Sequence, residues 1–278
     1  MRERKEMNNN FVLESRLKVL NLHFIKESYL KVAEQIQQDQ LGPIDYLKEL
    51  LKIELEQRDQ KNIINLLKLA KLPRDKLLLD FDIKRIPTLH PGVVKSLSEG
   101  GFIDRCENIL IFGNPGTGKS HLSIALAREW CLQGRKCLYL TAANLSQQLV
   151  VAKNQQKLTQ LIKRLDKFEV LIIDDISYVP YDKHETDLLF ILLAERYEQR
   201  STVISSNLVF SKWNQIFKDE MTTAAAIDRL VHHSTILELN TESYRMATAK
   251  NKKSLELILD SKKAVVINSK KEDKSMVG

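Results

Sequence analysis

Cysteine is scarce in this 278-residue chain: Cys106, Cys131 and Cys137 are the only three, an odd number without spaced pairs. That excludes a disulfide framework and a cysteine zinc site, and the thiols read as reduced groups in or near a core. No apolar run approaches the roughly 18 residues that a membrane span requires. The N-terminal stretch MRERKEMNNN is charged and polar with no apolar run behind it, so no signal peptide is expected. These absences point to a cytoplasmic protein without a membrane partner. Glycine and proline are also few, nine and six. Where they gather is therefore informative: Pro73, Pro87, Pro91 and Gly92 in one segment, and Gly113, Gly116 and Gly118 in another.

What is present suits a folded chain. Hydrophobic residues make up 43%, enough for a buried core, and charged residues 28%. The length suits one substantial domain plus extra material, or two small domains. The formal net charge is +7 and the pI about 9.1, which makes an anionic partner such as nucleic acid plausible. The excess sits toward the ends: about +2 over residues 1–80, +1 over 81–249 and +4 from Lys250 onward.

The chain divides by pattern. Residues 1–10 read as frayed. From Phe11 to Leu72 apolar residues recur at helical spacing, with Leu17, Leu20, Phe24, Tyr29 and Val32 near one another and a second stripe through Ile44, Leu47, Leu50, Leu51 and Leu55. Gly42-Pro43 breaks the run, and Asp45 is placed to cap the next helix. Residues 1–72 are thus expected to form a small all-α domain of two or three helices, suited to packing or oligomerisation. Residues 73–107 read as a linker leading into the core, where proline and glycine prevent long helices. From 108 to 250 five apolar runs of strand length, 108–112, 137–141, 170–174, 202–206 and 235–239, alternate with helical patterns. That alternation means βαβ units and an α/β core with a parallel five-stranded sheet between helices. Residues 251–278 are lysine-rich, begin as a helix around SLELILD and read on as a disordered tail.

In such sheets ligands bind at the carboxyl ends of the strands. The first strand runs into Gly113-Asn114-Pro115-Gly116-Thr117-Gly118-Lys119-Ser120-His121, which contains G-x-x-x-x-G-K-[ST] between a strand and a helix. Glycine tolerates the backbone angles that turn N–H groups inward around a phosphate, and the helix N-terminus adds its dipole. Lys119 is expected on the β- and γ-phosphates and Ser120 on Mg²⁺, so the ligand is a nucleoside triphosphate. The third strand, VLIIDDIS, delivers Asp174 and Asp175 to the same edge: Asp174 to hold Mg²⁺, Asp175 to orient or deprotonate the attacking water. The fourth ends at Asn207, alone a turn residue, here a polar group for the water or γ-phosphate. Arg229, just before the fifth strand, suits a charge offered to a neighbouring subunit's γ-phosphate. Arg200 and Arg245 are weaker candidates for phosphate or subunit contacts. His232 and His233 follow Arg229; no acid or cysteine pattern completes a metal site there, and structural or DNA-proximal roles are expected.

Taken in order, FDIKRIPTLHPG, ENILIFGNPGTGKSHLSIALA, VLIIDDISYVP, LLAERYEQRSTVISSN and AAAIDRLVHHSTILEL resemble the IstB-like family of transposition helper ATPases, from about Leu17 to Lys250. The resemblance implies an AAA+ P-loop ATPase core with a helical N-terminal domain. It further implies ATP-driven homo-oligomerisation on double-stranded DNA and recruitment of a partner transposase. It makes Lys119 the Walker A lysine, Asp174 and Asp175 the Walker B pair, Asn207 the sensor and Arg229 the arginine finger. DNA contact would be mainly to phosphates and salt-sensitive, with Lys153, Lys157, Lys163, Arg164 and Lys167 as candidates on one helix. A helicase loader of the DnaC type, preferring single strands, shares this core. An ATP-gated binding module without turnover is a further alternative, and a small-substrate kinase fits Asn207 and Arg229 less well.

Overall fold

The computed structural model describes residues 2–244. They form two compact units that meet in sequence between Lys68 and Leu69.

The first unit is three helices, α1 (Arg2–Val19), α2 (His23–Gln38) and α3 (Pro43–Leu69, whose last residue begins the second unit). The opening residues expected to fray are, from Arg2 on, wound into α1, although Asn8, Asn9 and Asn10 are poor helix formers. The apolar run 17–32 is not one helix, because Asn21 turns the chain with φ of 57° and α2 starts afresh at His23. Leu17, Ile25, Tyr29, Val32 and Leu50 make the core. Leu20, Ile44, Leu47, Leu51 and Leu55 are exposed, so only Leu50 of the second stripe turns inward. Asp45 sits inside the first turn of α3 rather than at its cap, where its charge still complements the helix dipole.

Leu22, at the head of α2, has no side chain able to cap it. Glu54 of α3 does so instead: its Oε2 accepts from the Phe24 and Ile25 amides at 2.9 and 2.8 Å, and Oε1 accepts from Arg58 Nε at 2.7 Å. Burial alone would push this carboxyl up; the two amides and Arg58 outweigh it and hold it below the usual carboxylate range.

The second unit starts at Leu69, so residues 73–107 are part of the core unit and not a linker outside it. Proline and glycine organise this segment. Pro91 takes the first position of α4 (Pro91–Ser98), and the His90 side chain accepts from the Gly92 amide at 3.1 Å. α4 and α5 (Gly101–Asp104) bury Val94, Leu97, Phe102 and Ile103, and the Trp130 indole donates to the Leu97 carbonyl at 2.8 Å.

Five strands follow: β1 (Asn108–Phe112), β2 (Cys137–Thr141), β3 (Val170–Asp174), β4 (Ser201–Ser206) and β5 (Ser234–Glu238). They form one parallel sheet in the order β2-β3-β4-β1-β5. β1, β3 and β4 are buried at every position, as expected of strands covered on both faces, whereas edge strand β5 is half open. The intervening helices are α6 (Lys119–Leu132), α7 (Ala142–Asn154), α8 (Leu158–Leu165), α9 (Lys183–Arg196), α10 (Asn214–Phe217) and α11 (Glu220–Val231). Asp182 and Glu185 form a reciprocal capping box on α9, and Asp219 caps α11. The basic run 153–167 is not one helix, because Gln156 adopts φ of 56° and separates α7 from α8. Arg196 is 1% exposed and ties the sheet floor together, donating to the Leu165, Phe168 and Ser201 carbonyls at 3.1, 3.2 and 2.8 Å. Arg245 and the tail 251–278 lie outside the described residues.

Replacing Glu54 with Gln removes the charged acceptor from the α2 amides. In the full chain, hydrogen exchange at Phe24 and Ile25 is expected to quicken at neutral pH by an opening free energy of about 1–3 kcal/mol. Because the native carboxyl lies below its ordinary value of about 4.3, its contribution is complete above that pH and fades as pH falls through the lower native value. The gap between wild type and Glu54→Gln should therefore close toward acid; a gap unchanged down to the acid limb would refute this origin.

Candidate nucleotide-binding site

The sheet order places three chemistry-bearing strand ends side by side. β1 pairs with β4, Phe112 opposite Ser206, and β4 pairs with β3, Ile204 opposite Ile173. Gly113, Asn207 and Asp174–Asp175 therefore emerge at one edge from three adjacent strands. β1 also lies between β4 and β5, and the chain leaves it to cross to β2 on the far side, so the loop after β1 opens at a topological switch point.

The loop demands its glycines. Gly113, Gly116 and Gly118 have φ of 152°, 83° and 103°. A Cβ on Gly113 would lie 2.6 Å from the Leu239 carbonyl oxygen, a backbone atom that cannot swing aside. Thr117 Oγ1 donates to the Asn114 carbonyl at 2.9 Å and closes the turn. Lys119, the first residue of α6, is 5% exposed, and its Nζ donates to the Gly113 and Asn114 carbonyls at 2.8 and 3.0 Å and to Asn207 Oδ1. A nearly buried ammonium at the mouth of a glycine loop is placed to meet an anion. Asn207 is itself steadied by the Ser177 hydroxyl, which accepts from its amide at 2.9 Å.

The two aspartates occupy different environments. Asp174 is buried; Tyr139 donates to its Oδ2 at 2.7 Å and Ser205 to its Oδ1 at 2.5 Å. Burial, then the Asp174 charge, push the Tyr139 phenol well above its ordinary value, so it remains a donor. Asp175 adopts φ of 58°, its amide donates to Ser205 Oγ at 2.8 Å, and it lines the cavity while Asp174 stands behind it. Ser120 also lines the cavity. A hydroxyl and adjacent carboxylates are hard oxygen donors, a set that fits Mg²⁺.

The cavity measures about 720 Å³, within the range of small-molecule sites. The rest of its wall lies outside the motif. Phe81, Asp82, Arg85 and Ile86 come from the segment read as a linker, and Thr241, Glu242 and Tyr244 from the stretch after β5. Phe81 packs its ring near Gly118 and 5.5 Å from the His121 ring, whose Nε2 lies 2.8 Å from the Leu77 carbonyl. The Tyr244 amide donates to the Gly116 carbonyl at 2.9 Å, and the Arg85 guanidinium lies 4.8 Å over the Tyr244 ring. The only sequence signal was an aromatic residue among charges in a proline-bounded run.

Other expected residues fall elsewhere. Arg229 does not line the cavity; its Nη1 donates to the Ala225 carbonyl at 3.1 Å and its guanidinium lies 5.1 Å from the Phe190 ring. Arg200 precedes β4, at the opposite edge from Asn207, which removes it from the phosphate role in its own chain. It donates to the Asp166 carbonyl at 3.2 Å. Lys153, Lys157, Lys163, Arg164 and Lys167 are all exposed. A groove of about 480 Å³ between α7 and α8 brings Lys157 and Arg164 together with Gln147, Gln148, Gln155 and Gln160. His232 and His233 do acquire an acid, Glu198, contributed by a turn 34 residues earlier in the chain.

Residues 15–253 match the family described as IstB-like ATP binding protein. A putative insertion sequence ATP-binding protein of Sinorhizobium fredii is 38% identical over 246 residues, covering 87% of this chain and 83% of its own. The IS21 putative ATP-binding protein of Pseudomonas aeruginosa is 37% identical over 235 residues, covering 84% and 88%. Among solved structures, AMPPCP-bound DnaA from Aquifex aeolicus superposes with a TM-score of 0.52 at 20% identity, over 66% of this chain and 55% of that one. That is a likeness of fold, the AAA+ P-loop fold. No described helix is long and apolar enough to cross a membrane.

Phe81 offers the cavity a flat apolar face suited to a purine. Phe81→Ala is expected to weaken ATP binding about tenfold, the value of one base–aromatic stack, while Phe81→Trp keeps most of it. Titration with a fluorescent ATP analogue reads this directly; unchanged affinity in Phe81→Ala would remove Phe81 from the site.

Proposed function

The chain belongs to the family of IstB-like ATP-binding proteins, and from that we propose that it is a DNA-stimulated ATPase serving transposition. In this reading it assembles on double-stranded target DNA, hydrolyses ATP at sites shared between subunits, and recruits and stimulates a partner transposase in the cytoplasm. The observation that carries the reading is the split of the catalytic set. Lys119, Ser120, Asp175 and Asn207 line one cavity, whereas Arg229 stands outside it on α11.

Each residue has a role that its position permits. Lys119 binds the β- and γ-phosphates, and the loop amides of Gly113–Gly118 cradle them. Ser120 and Asp174 would hold one Mg²⁺, Asp174 through water, and the ion would neutralise phosphate charge. Asp175 orients the attacking water or takes its proton, and Asn207, already on Lys119, steadies water or γ-phosphate. Such reactions depend on positioning and on charge offered to the transferring group. If Arg229 comes from a neighbour, hydrolysis requires assembly, and DNA that templates assembly stimulates hydrolysis.

The naming of relatives as insertion sequence ATP-binding proteins supports the transposition setting. The net charge of +7 supports an anionic polymer as template. Lys157 and Arg164, facing one groove among amide side chains, are the first DNA contacts to test. Contacts of that kind bind phosphates without reading sequence, so affinity should fall steeply with salt.

The test is ATP hydrolysis by the purified chain with and without double-stranded DNA. Lys119→Ala and Arg229→Ala should each abolish the stimulated rate, the latter by on the order of 10³-fold. Mixing these two inactive variants should restore part of it, because a pair then contains one complete site. No restoration on mixing would refute the shared site. Stimulation by single strands alone would favour a helicase loader instead.

A further inference from the structure

Far from the nucleotide cavity, at the edge of the sheet where β4 and β5 begin, two turns face each other. One follows α9 and contains Tyr197 and Glu198; the other follows α11 and contains His232 and His233. One ligand atom each from Glu198, His232 and His233 lies within 4.8 Å of the others. His233 Nε2 is 3.6 Å from Glu198 Oε1, and the two imidazole centroids are 4.1 Å apart. We propose that Glu198, His232 and His233 form a binding site for one divalent transition-metal ion of the zinc class, unrelated to the Mg²⁺ of the nucleotide site.

The ligand chemistry selects the ion. Two imidazoles and one carboxylate suit Zn²⁺ and its neighbours, whereas Mg²⁺ prefers oxygen alone. Bond lengths of 2.0–2.2 Å in a tetrahedron place ligand atoms about 3.4 Å apart. The Glu198–His233 pair already stands near that spacing, and the remaining closure is within the reach of exposed side chains. Three protein ligands leave the fourth position open to water or to a further group.

The surroundings support the ligands. The Tyr197 hydroxyl lies 2.9 Å from His232 Nδ1 and restrains the ring, as outer partners of metal-bound histidines do. The backbone of each turn is anchored: His232 donates to the Asp228 carbonyl at 3.0 Å, Asn108 donates to the His233 carbonyl at 2.7 Å, and Arg200 donates to the Arg196 carbonyl at 3.0 Å. The nearby cations are engaged elsewhere, Arg105 with Glu107 and Arg229 with Ala225 and Phe190. An ion here ties the turn after α9 to the turn after α11.

The experiment uses the purified full chain, without nucleotide and with millimolar Mg²⁺ present to occupy hard-oxygen sites. Co²⁺ is titrated in and followed by its visible absorption, then displaced by Zn²⁺, with calorimetry for stoichiometry. The expected result is one ion per chain in the micromolar range, with affinity reduced at least tenfold in each of Glu198→Gln, His232→Gln and His233→Gln. Tyr197→Phe should weaken binding severalfold and leave the stoichiometry at one. Zn²⁺ should raise the Tm of the wild type and leave that of Glu198→Gln unchanged; this side chain is exposed, and the variant is expected to keep the wild-type Tm without metal. Absence of binding below millimolar Co²⁺, or full affinity in any of the three ligand variants, would overturn the site.

Discussion

A nearly buried ammonium needs oxygen around it, and the edge of the core sheet is built to supply that oxygen to Lys119. Two carbonyls of the glycine loop and the Asn207 amide oxygen are on it. Those groups come from the ends of two neighbouring strands, so the lysine is held only if β1 and β4 are paired in the observed register. The acids reach the same edge through the next pairing, β4 with β3. A phosphate bound there meets a positive charge whose desolvation has already been met by folding.

A second consequence concerns the two acids. Neighbours in sequence, Asp174 and Asp175 differ because a strand ends between them. Asp174 keeps the extended backbone and points into hydrogen bonds from Tyr139 and Ser205. Asp175 turns to positive φ and reaches the cavity. Ser205 touches both, through its hydroxyl to Asp174 and from the Asp175 amide. One hydroxyl on β4 thus links the two acids, alongside the Tyr139 phenol on Asp174. The opposite edge of the sheet is organised differently: Arg196 donates to carbonyls of the turn before β3 and of the first residue of β4, and Glu198, His232 and His233 gather on the surface.

Much of the core could be read from residue order. Five apolar runs with helical stretches between them dictate a parallel sheet, and the observed strands match those runs within a residue. Gly113 to Ser120 announces a phosphate loop because only glycine tolerates the angles required there. Asp174, Asp175 and Asn207 were placed on one edge by the rule that ligands meet the carboxyl ends of strands. The N-terminal helices were legible as helices, but their ends and inward faces were not. Asn21 and Gln156 take left-handed angles with nothing in their neighbours to forewarn of it, and each divides an apparently continuous helix.

Local pattern and backbone stereochemistry are properties of consecutive residues, so the sequence by itself determined the α/β core, the phosphate loop and the strand-end acids. Contacts between distant segments belong to the folded chain alone. Only tertiary structure decided that Phe81 and Tyr244 wall the cavity, that Glu54 caps a helix beginning 31 residues before it, and that Glu198 joins two histidines. Each of these depends on which elements pack side by side, and packing is settled by burial of the whole apolar surface at once.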